Sequence, residues 1–275
     1  MTACWLAAVC AWASDATPGL SAKLHPWGLF NPGAWKTVRV VTETLDDRGH
    51  VSSISTTDTK TTLVDLDNEG ITLEIQACMD VAGKRFEAEP QTVKQGFHGE
   101  LLGERLVLKP PLGGQVTIEG QKIPCRVQQL ETITSGGKTV TTLHYSIVLA
   151  PYVLKRESAT FDAEGRELGQ THVDVVARNM PVQVHDEQKS GIYVKTVQTK
   201  SDGGSVTTLA TVLPEVPGGV VHSSTKELDK NGRLVRRSTL ELIDYNEDPD
   251  KDRSGMFGRK RSSRHRNKPS SYYSP

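Results

Sequence analysis

The 275-residue sequence predicts a mainly β fold: an antiparallel curved sheet or half-barrel built from duplicated β-hairpin units, laid out as one sheet or as two consecutive β units. Three observations carry that expectation. Apolar and polar residues alternate with period two, as in Ile71-Thr72-Leu73-Glu74-Ile75-Gln76, the mark of a strand with one buried face. Short turns of residues that tolerate positive φ separate such runs, at Asp46 to Gly49, Asp67 to Gly70, Asp162 to Gly165 and Lys230 to Gly232. The chain also repeats itself. Gly136-Gly137 returns 67 residues later as Gly203-Gly204, and Thr141-Thr142-Leu143 after the first pair returns, one residue nearer, as Thr207-Thr208-Leu209 after the second. The same interval separates Asp162-Ala163-Glu164-Gly165-Arg166 from Asp229-Lys230-Asn231-Gly232-Arg233, which points to a duplicated unit. With 36% hydrophobic and 5% aromatic residues, the core is expected to be thin and enclosed pockets few.

Taken in order, the chain opens on an uncharged apolar run, Cys4 to Ala13, too short for a spanning helix of about 20 residues. Ala11-Trp12-Ala13 has the small-x-small form of a cleavage site, so residues 1–13 are expected to be a signal peptide and the chain exported, to the periplasm or beyond. No other segment has the length and apolarity of a transmembrane helix. Cleavage leaves Cys78 and Cys125, either as a disulfide or as two half-buried thiols. Residues 14–34 read as a strap whose prolines and glycines hold an extended path and whose Trp27 and Phe30 plug one end of the sheet. A first β unit follows over 35–109. Pro110-Pro111 interrupts it, and duplicated units occupy 114–246, dividing near 186. Val81 to Ala88 and Ile118 to Cys125 resemble each other in placing a glycine and a basic residue before an apolar one. Residues 247–275, acidic and then basic, lack apolar periodicity and are expected to be disordered.

The net charge of zero conceals an asymmetry: residues 251–275 carry eight Lys and Arg against Asp252 alone, leaving the rest of the chain acidic. Arg259, Lys260, Arg261, Arg264, Arg266 and Lys268 would suit an envelope polyanion through counterion release, and no motif for specific nucleic-acid recognition is present. No cofactor is implied. Asp65 to Gly70 imitates a calcium loop, but Gln76 stands where a bidentate glutamate is needed, so a hairpin turn fits better. Arg253 breaks a second alternating set at Asp248, Asp250 and Asp252, and no zinc spacing occurs. Glycine pairs lie between strands rather than before a helix, which excludes a phosphate cradle. For catalysis the sequence offers only His144, Ser146, His172 and Asp174, a hydrolase-like set placed on the solvated face. The expectation is therefore a non-enzymatic envelope scaffold or binding module. Its apolar face, bearing Ile71, Leu73, Ile75, Leu143, Tyr145, Ile147, Val173 and Val175, would serve as core or seat a lipid or lipoprotein.

Four segments carry a resemblance over about residues 25–246: the His25-Pro26-Trp27-Gly28 opening with Phe30, Pro32-Gly33 and Trp35; Val81-Ala82-Gly83-Lys84; Pro217-Gly218-Gly219-Val220-Val221; and Gly232-Arg233-Leu234-Val235. The chain resembles exported bacterial β-repeat proteins of no established activity. In its hairpin-rich layout it is more distantly similar to the open half-barrels of LolA/LppX-like lipoprotein carriers. That resemblance implies a concave apolar face that binds lipid, although no motif specific to those carriers is present.

Overall fold

The computed structural model describes residues 20–101 and 103–248, and every structural statement below refers to these residues. Fifteen strands form: β1 (Trp35–Leu45), β2 (Val51–Leu66), β3 (Ile71–Val81), β4 (Lys84–Glu87), β5 (Gln91–Gln95), β6 (Arg105–Leu108), β7 (Leu112–Ile118), β8 (Gln121–Thr134), β9 (Gly137–Tyr145), β10 (Val153–Asp162), β11 (Glu167–Val184), β12 (Glu187–Lys200), β13 (Ser205–Val212), β14 (Val220–Leu228) and β15 (Leu234–Asn246). All belong to one antiparallel sheet. Its order runs β4, β3, β2, β1, β15 and then down in sequence to β8 and β6, with β5 beside β3 and β7 beside β8. The expected leader at residues 1–13 and the basic residues Arg259, Lys260, Arg261, Arg264, Arg266 and Lys268 lie outside the described residues. No described helix is long and apolar enough to cross a membrane.

Chain order does not follow sheet order at one place. The first strand sits mid-sheet, paired to β2 on one side and to β15 on the other. The chain then meanders out to one edge, crosses to the opposite edge and meanders back. Residues 96–104 make that crossing. Thirteen strands side by side at about 4.8 Å would span about 58 Å if flat. Nine linking residues reach about 35 Å fully extended, and these spend part of their length on a turn closed by the Gln95–Leu101 bridge. The sheet must therefore curl until its edges approach. It stays open, because β6 pairs with neither β4 nor β5.

The turns explain why the meander holds its register. Asp46, Asp162 and Asp229 each accept two backbone N–H groups on Oδ1, from residues two and four further on, while Arg166 and Arg233 donate Nε to the second oxygen of their own aspartate. These are Asx turns that fix the chain reversal locally. Gly136-Gly137 and Gly203-Gly204 occupy the corresponding β8–β9 and β12–β13 reversals, so the 67-residue interval spans the same four-strand path. The Val81 to Ala88 and Ile118 to Cys125 segments are both tight hairpins. Positive φ at Ala82-Gly83 and at Glu119-Gly120 matches the twist that two-residue reversals require. Pro110-Pro111 separates β6 from β7, yet both strands pair with β8.

Residues 20–34 run across one face of the sheet at the end opposite these Asx turns. Leu20 and Leu24 pack with Leu130, Leu143 and Tyr145; Trp27, Phe30 and Ala34 pack with Leu63, Ile71 and Leu73. Phe97, from the crossing segment, packs against both groups and ties them together. A Cβ at Gly28 would overlap the Ala22 carbonyl oxygen, and one at Gly218 would lie 2.8 Å from the Trp27 indole, so glycine is needed where the strap folds back and where the sheet receives it. Two further apolar groups continue the core. One gathers Ile118, Leu154, Val175 and Ile192, the other Val184, Leu213, Val216 and Val221.

Candidate functional site

Strand register shows which residues share the strap-covered face. Leu130 and Thr132 stand opposite Thr141 and Thr139, which stand opposite Ser158 and Thr160; Leu143 stands opposite Arg156. Directly paired residues point the same way. The face that is apolar beneath the strap thus becomes hydroxyl-bearing a few residues towards the Asx turns. The same register carries a row of half-buried hydroxyls across six strands: Thr196, Thr208, Thr225, Ser238, Thr42 and Ser55. Paired hydroxyls bond across strands, Thr208 to Thr225 at 2.9 Å, Thr141 to Ser158 at 2.9 Å and Thr139 to Thr160 at 3.2 Å.

Where the crossing segment passes over this polar stretch it leaves a cavity of about 310 Å³. Thr132, Thr134, Thr139 and Thr160 supply hydroxyls, His98 and Glu104 come from the crossing segment, Lys138 lies at the β8–β9 turn, and Arg156 reaches in from β10. Arg156 Nε donates to Ser158 Oγ at 3.2 Å, which fixes the guanidinium plane; its two terminal nitrogens have no hydrogen-bond or ion-pair partner among the described residues. Burial holds its pKa below the ordinary arginine value. His98 Nε2 accepts the Leu20 backbone N–H at 3.1 Å, so the ring is neutral and anchors the strap; burial lowers its pKa against the raising charge of Glu100, and the Arg156 charge adds to the lowering. Glu104 accepts the Leu101 N–H and turns its charge to the loop backbone.

Of the residues expected to form a catalytic set, His144, His172 and Asp174 share one face around Lys155 and Glu157, and Ser146 stands apart. His144 and Asp174 flank Lys155 from opposite strands on the face away from the strap. His172 Nδ1 stands 3.7 Å from Glu157, which also takes Lys155 Nζ at 3.0 Å. Ser146 lies beyond the end of β9, where its Oγ accepts the N–H groups of Val148 and Leu149 and closes a turn. Burial, followed by the Lys155 charge, lowers the His144 pKa, which keeps the ring neutral beside its cationic neighbour.

The apolar residues expected to face a ligand divide. Ile71, Leu73, Leu143, Tyr145 and Val175 are buried in the core, and Ile75 and Val173 are half-buried on the same sheet. Ile147 departs from the alternation: β9 stops at Tyr145, and Ile147 is 55% exposed in the following turn because the chain must reverse there. The expected disulfide alternative is corrected as well. Cys78 and Cys125 are free, half-buried thiols, held on β3 and β8, ten strand positions apart in the sheet order. Asp65 to Gly70 is a hairpin turn in which Asp67 accepts the N–H groups of Glu69 and Gly70 and pairs with Lys94 at 2.9 Å, and no cluster of metal-ligating residues occurs among the described residues.

Arg156 was hidden in the charged run Lys155-Arg156-Glu157, which reads as solvated. Its phase is the signal. It alternates in step with Ser158 and Thr160 rather than with its charged neighbours.

No family model matches the chain, and no curated protein matches it either. Among solved structures it is similar to a candidate exported protein with a YmcC-like fold from Bacteroides fragilis, at 8% identity and a TM-score of 0.29, covering 79% of this chain and 97% of that one. It is also similar to a candidate lipoprotein from Parabacteroides distasonis, at 10% identity and a TM-score of 0.29, covering 81% and 98%. At that level of superposition neither likeness transfers a function.

Proposed function

We propose that this chain is a non-enzymatic, exported binding module whose ligand sits on the hydroxyl-bearing part of the curled face. The observation that carries this reading is the division of that face. Residues 20–34 fill its apolar end with the chain's own Leu20, Leu24, Trp27 and Phe30, while the end towards the Asx turns stays lined by threonines and serines. A carrier of the LolA/LppX kind needs an accessible apolar concavity, and here the strap occupies the place such a lipid would take. Ser146, the candidate nucleophile, is held in a turn apart from His144, His172 and Asp174, which supports a role without catalysis. The apolar run before Ala13 supports export.

The test is isolation of the full-length gene product from its native envelope under mild conditions, followed by mass spectrometry of the intact complex and of an organic extract. Retention of a polar, hydroxyl-bearing species without stoichiometric lipid is the expected outcome. Stoichiometric lipid in the extract would overturn the reading.

A further inference from the structure

We propose that the Arg156 cavity binds an anionic sugar, a monosaccharide-sized molecule bearing one carboxylate or phosphate. The inference rests on the binding-module reading above and assigns it a ligand chemistry. Three features converge on that class. The first is the guanidinium. Several charged side chains on neighbouring strands answer one another, Arg39 with Asp58, Lys94 with Asp67 and Lys200 with Glu227. Arg156 is half-buried in the cavity and has no ion-pair partner among the described residues. A desolvated cation is costly unless an anion neutralises it. With Nε held by Ser158, the two terminal nitrogens form an end-on fork whose spacing matches the paired oxygens of a carboxylate or phosphate.

The second feature is the lining. Thr132, Thr134, Thr139 and Thr160 line the cavity with groups that both donate and accept, which suits the hydroxyls of a sugar, while Phe161 and Leu168 supply apolar surface of the kind a sugar ring face packs on. The third is size. At about 310 Å³ the cavity stands at the lower bound of small-molecule sites, about 300–1,000 Å³. Lys138 adds a second positive charge at the rim. Glu104, the one carboxylate of the lining, is engaged by the Leu101 N–H.

Calorimetric titration of the full chain with glucuronate, glucose 6-phosphate, glucose and inorganic phosphate tests the assignment. Glucuronate and glucose 6-phosphate are expected to bind at least tenfold more tightly than glucose or phosphate alone. Arg156→Gln should abolish that preference, and Arg156→Lys, which keeps the charge but loses the fork, should weaken it severalfold, with circular dichroism verifying the fold of each. In the unmodified chain, glucuronate should slow phenylglyoxal modification of Arg156, mapped by peptide mass spectrometry, and glucose should not; this arm needs no variant. Equal affinity for glucose and glucuronate, unchanged affinity in Arg156→Gln, or absence of protection would overturn the anion assignment and leave the binding-module reading standing. Inorganic phosphate binding as tightly as glucose 6-phosphate would overturn the sugar. Stoichiometric lipid in the native preparation would remove the underlying reading whatever Arg156 does.

Discussion

The two ends of one sheet face use the same backbone for opposite purposes. Under the strap, inward positions carry leucine, isoleucine and tyrosine, and exposure falls to 0% at Leu63 and Ile71. Towards the Asx turns the same alternation continues with threonine and serine, from buried Thr141 to exposed Thr160, bonded hydroxyl to hydroxyl. Threonine has the branched Cβ of valine and so the same fitness for a strand, yet it exchanges a methyl group for a hydroxyl. A change of side-chain chemistry without a change of pleat thus separates a region that stabilises from a region free to bind.

That contrast can be broken most forcibly at the strap. Trp27 is 6% exposed, packs in the Leu63 cluster and lies beside Lys36, whose Nζ is 5.9 Å from the ring centroid. Trp27→Ala is expected to lower unfolding free energy by about 3–5 kcal/mol, read by urea denaturation, the range for a large buried aromatic. A loss under about 1 kcal/mol would mean that the strap contributes little to stability.

Acid probes the same end more gently. His25 Nδ1 accepts the Trp27 N–H at 3.3 Å, and burial lowers its pKa from 6.5 to about 4. Between those values the unfolded chain binds the proton more readily than the folded one, so stability falls as pH drops from 6.5 towards 4. The difference between the parent chain and His25→Gln should change by about 2 kcal/mol across that window, allowing for partial exposure of the ring. Parallel stability-against-pH curves for the two chains would place the acid sensitivity elsewhere.

The smallest effect is expected at the polar end. Arg156→Met replaces an unpaired, desolvated cation with an apolar chain of similar reach and should leave stability within about 1 kcal/mol, or raise it, by thermal denaturation. A loss above about 2 kcal/mol would show that Arg156 serves the fold.

Much of the fold was legible because its signals are local. Alternation marks strands, and an aspartate followed by glycine three residues later closes an Asx turn at Asp46, Asp162 and Asp229. Trp27 and Phe30 could be placed at one end of the sheet because a Pro- and Gly-rich segment with large aromatics has little else to do. The union of β1 with β15 left no comparable mark, since pairing between distant strands depends on topology. Ile147 shows the limit of periodicity: the apolar pattern runs on past the residue where β9 ends. The cavity depended on both of these non-local features. Only the crossing segment brings His98 over Arg156, and the isolated sequence of β10 gives no sign of that roof.

The mid-sheet place of β1 has a consequence for how the molecule assembles. Its partner β15 follows about 200 residues later, and ion pairs such as Glu43 with Arg237 and Asp47 with Arg233 join the two only then. A chain delivered from its N-terminus therefore carries an unpaired strand edge in its first hairpin until the last strand arrives. Closing that seam is a late step with high loop-closure entropy, and a chain cut before Leu234 would keep a sticky edge in the middle of its sheet. The final strand works as the zip that converts two incomplete meanders into one surface.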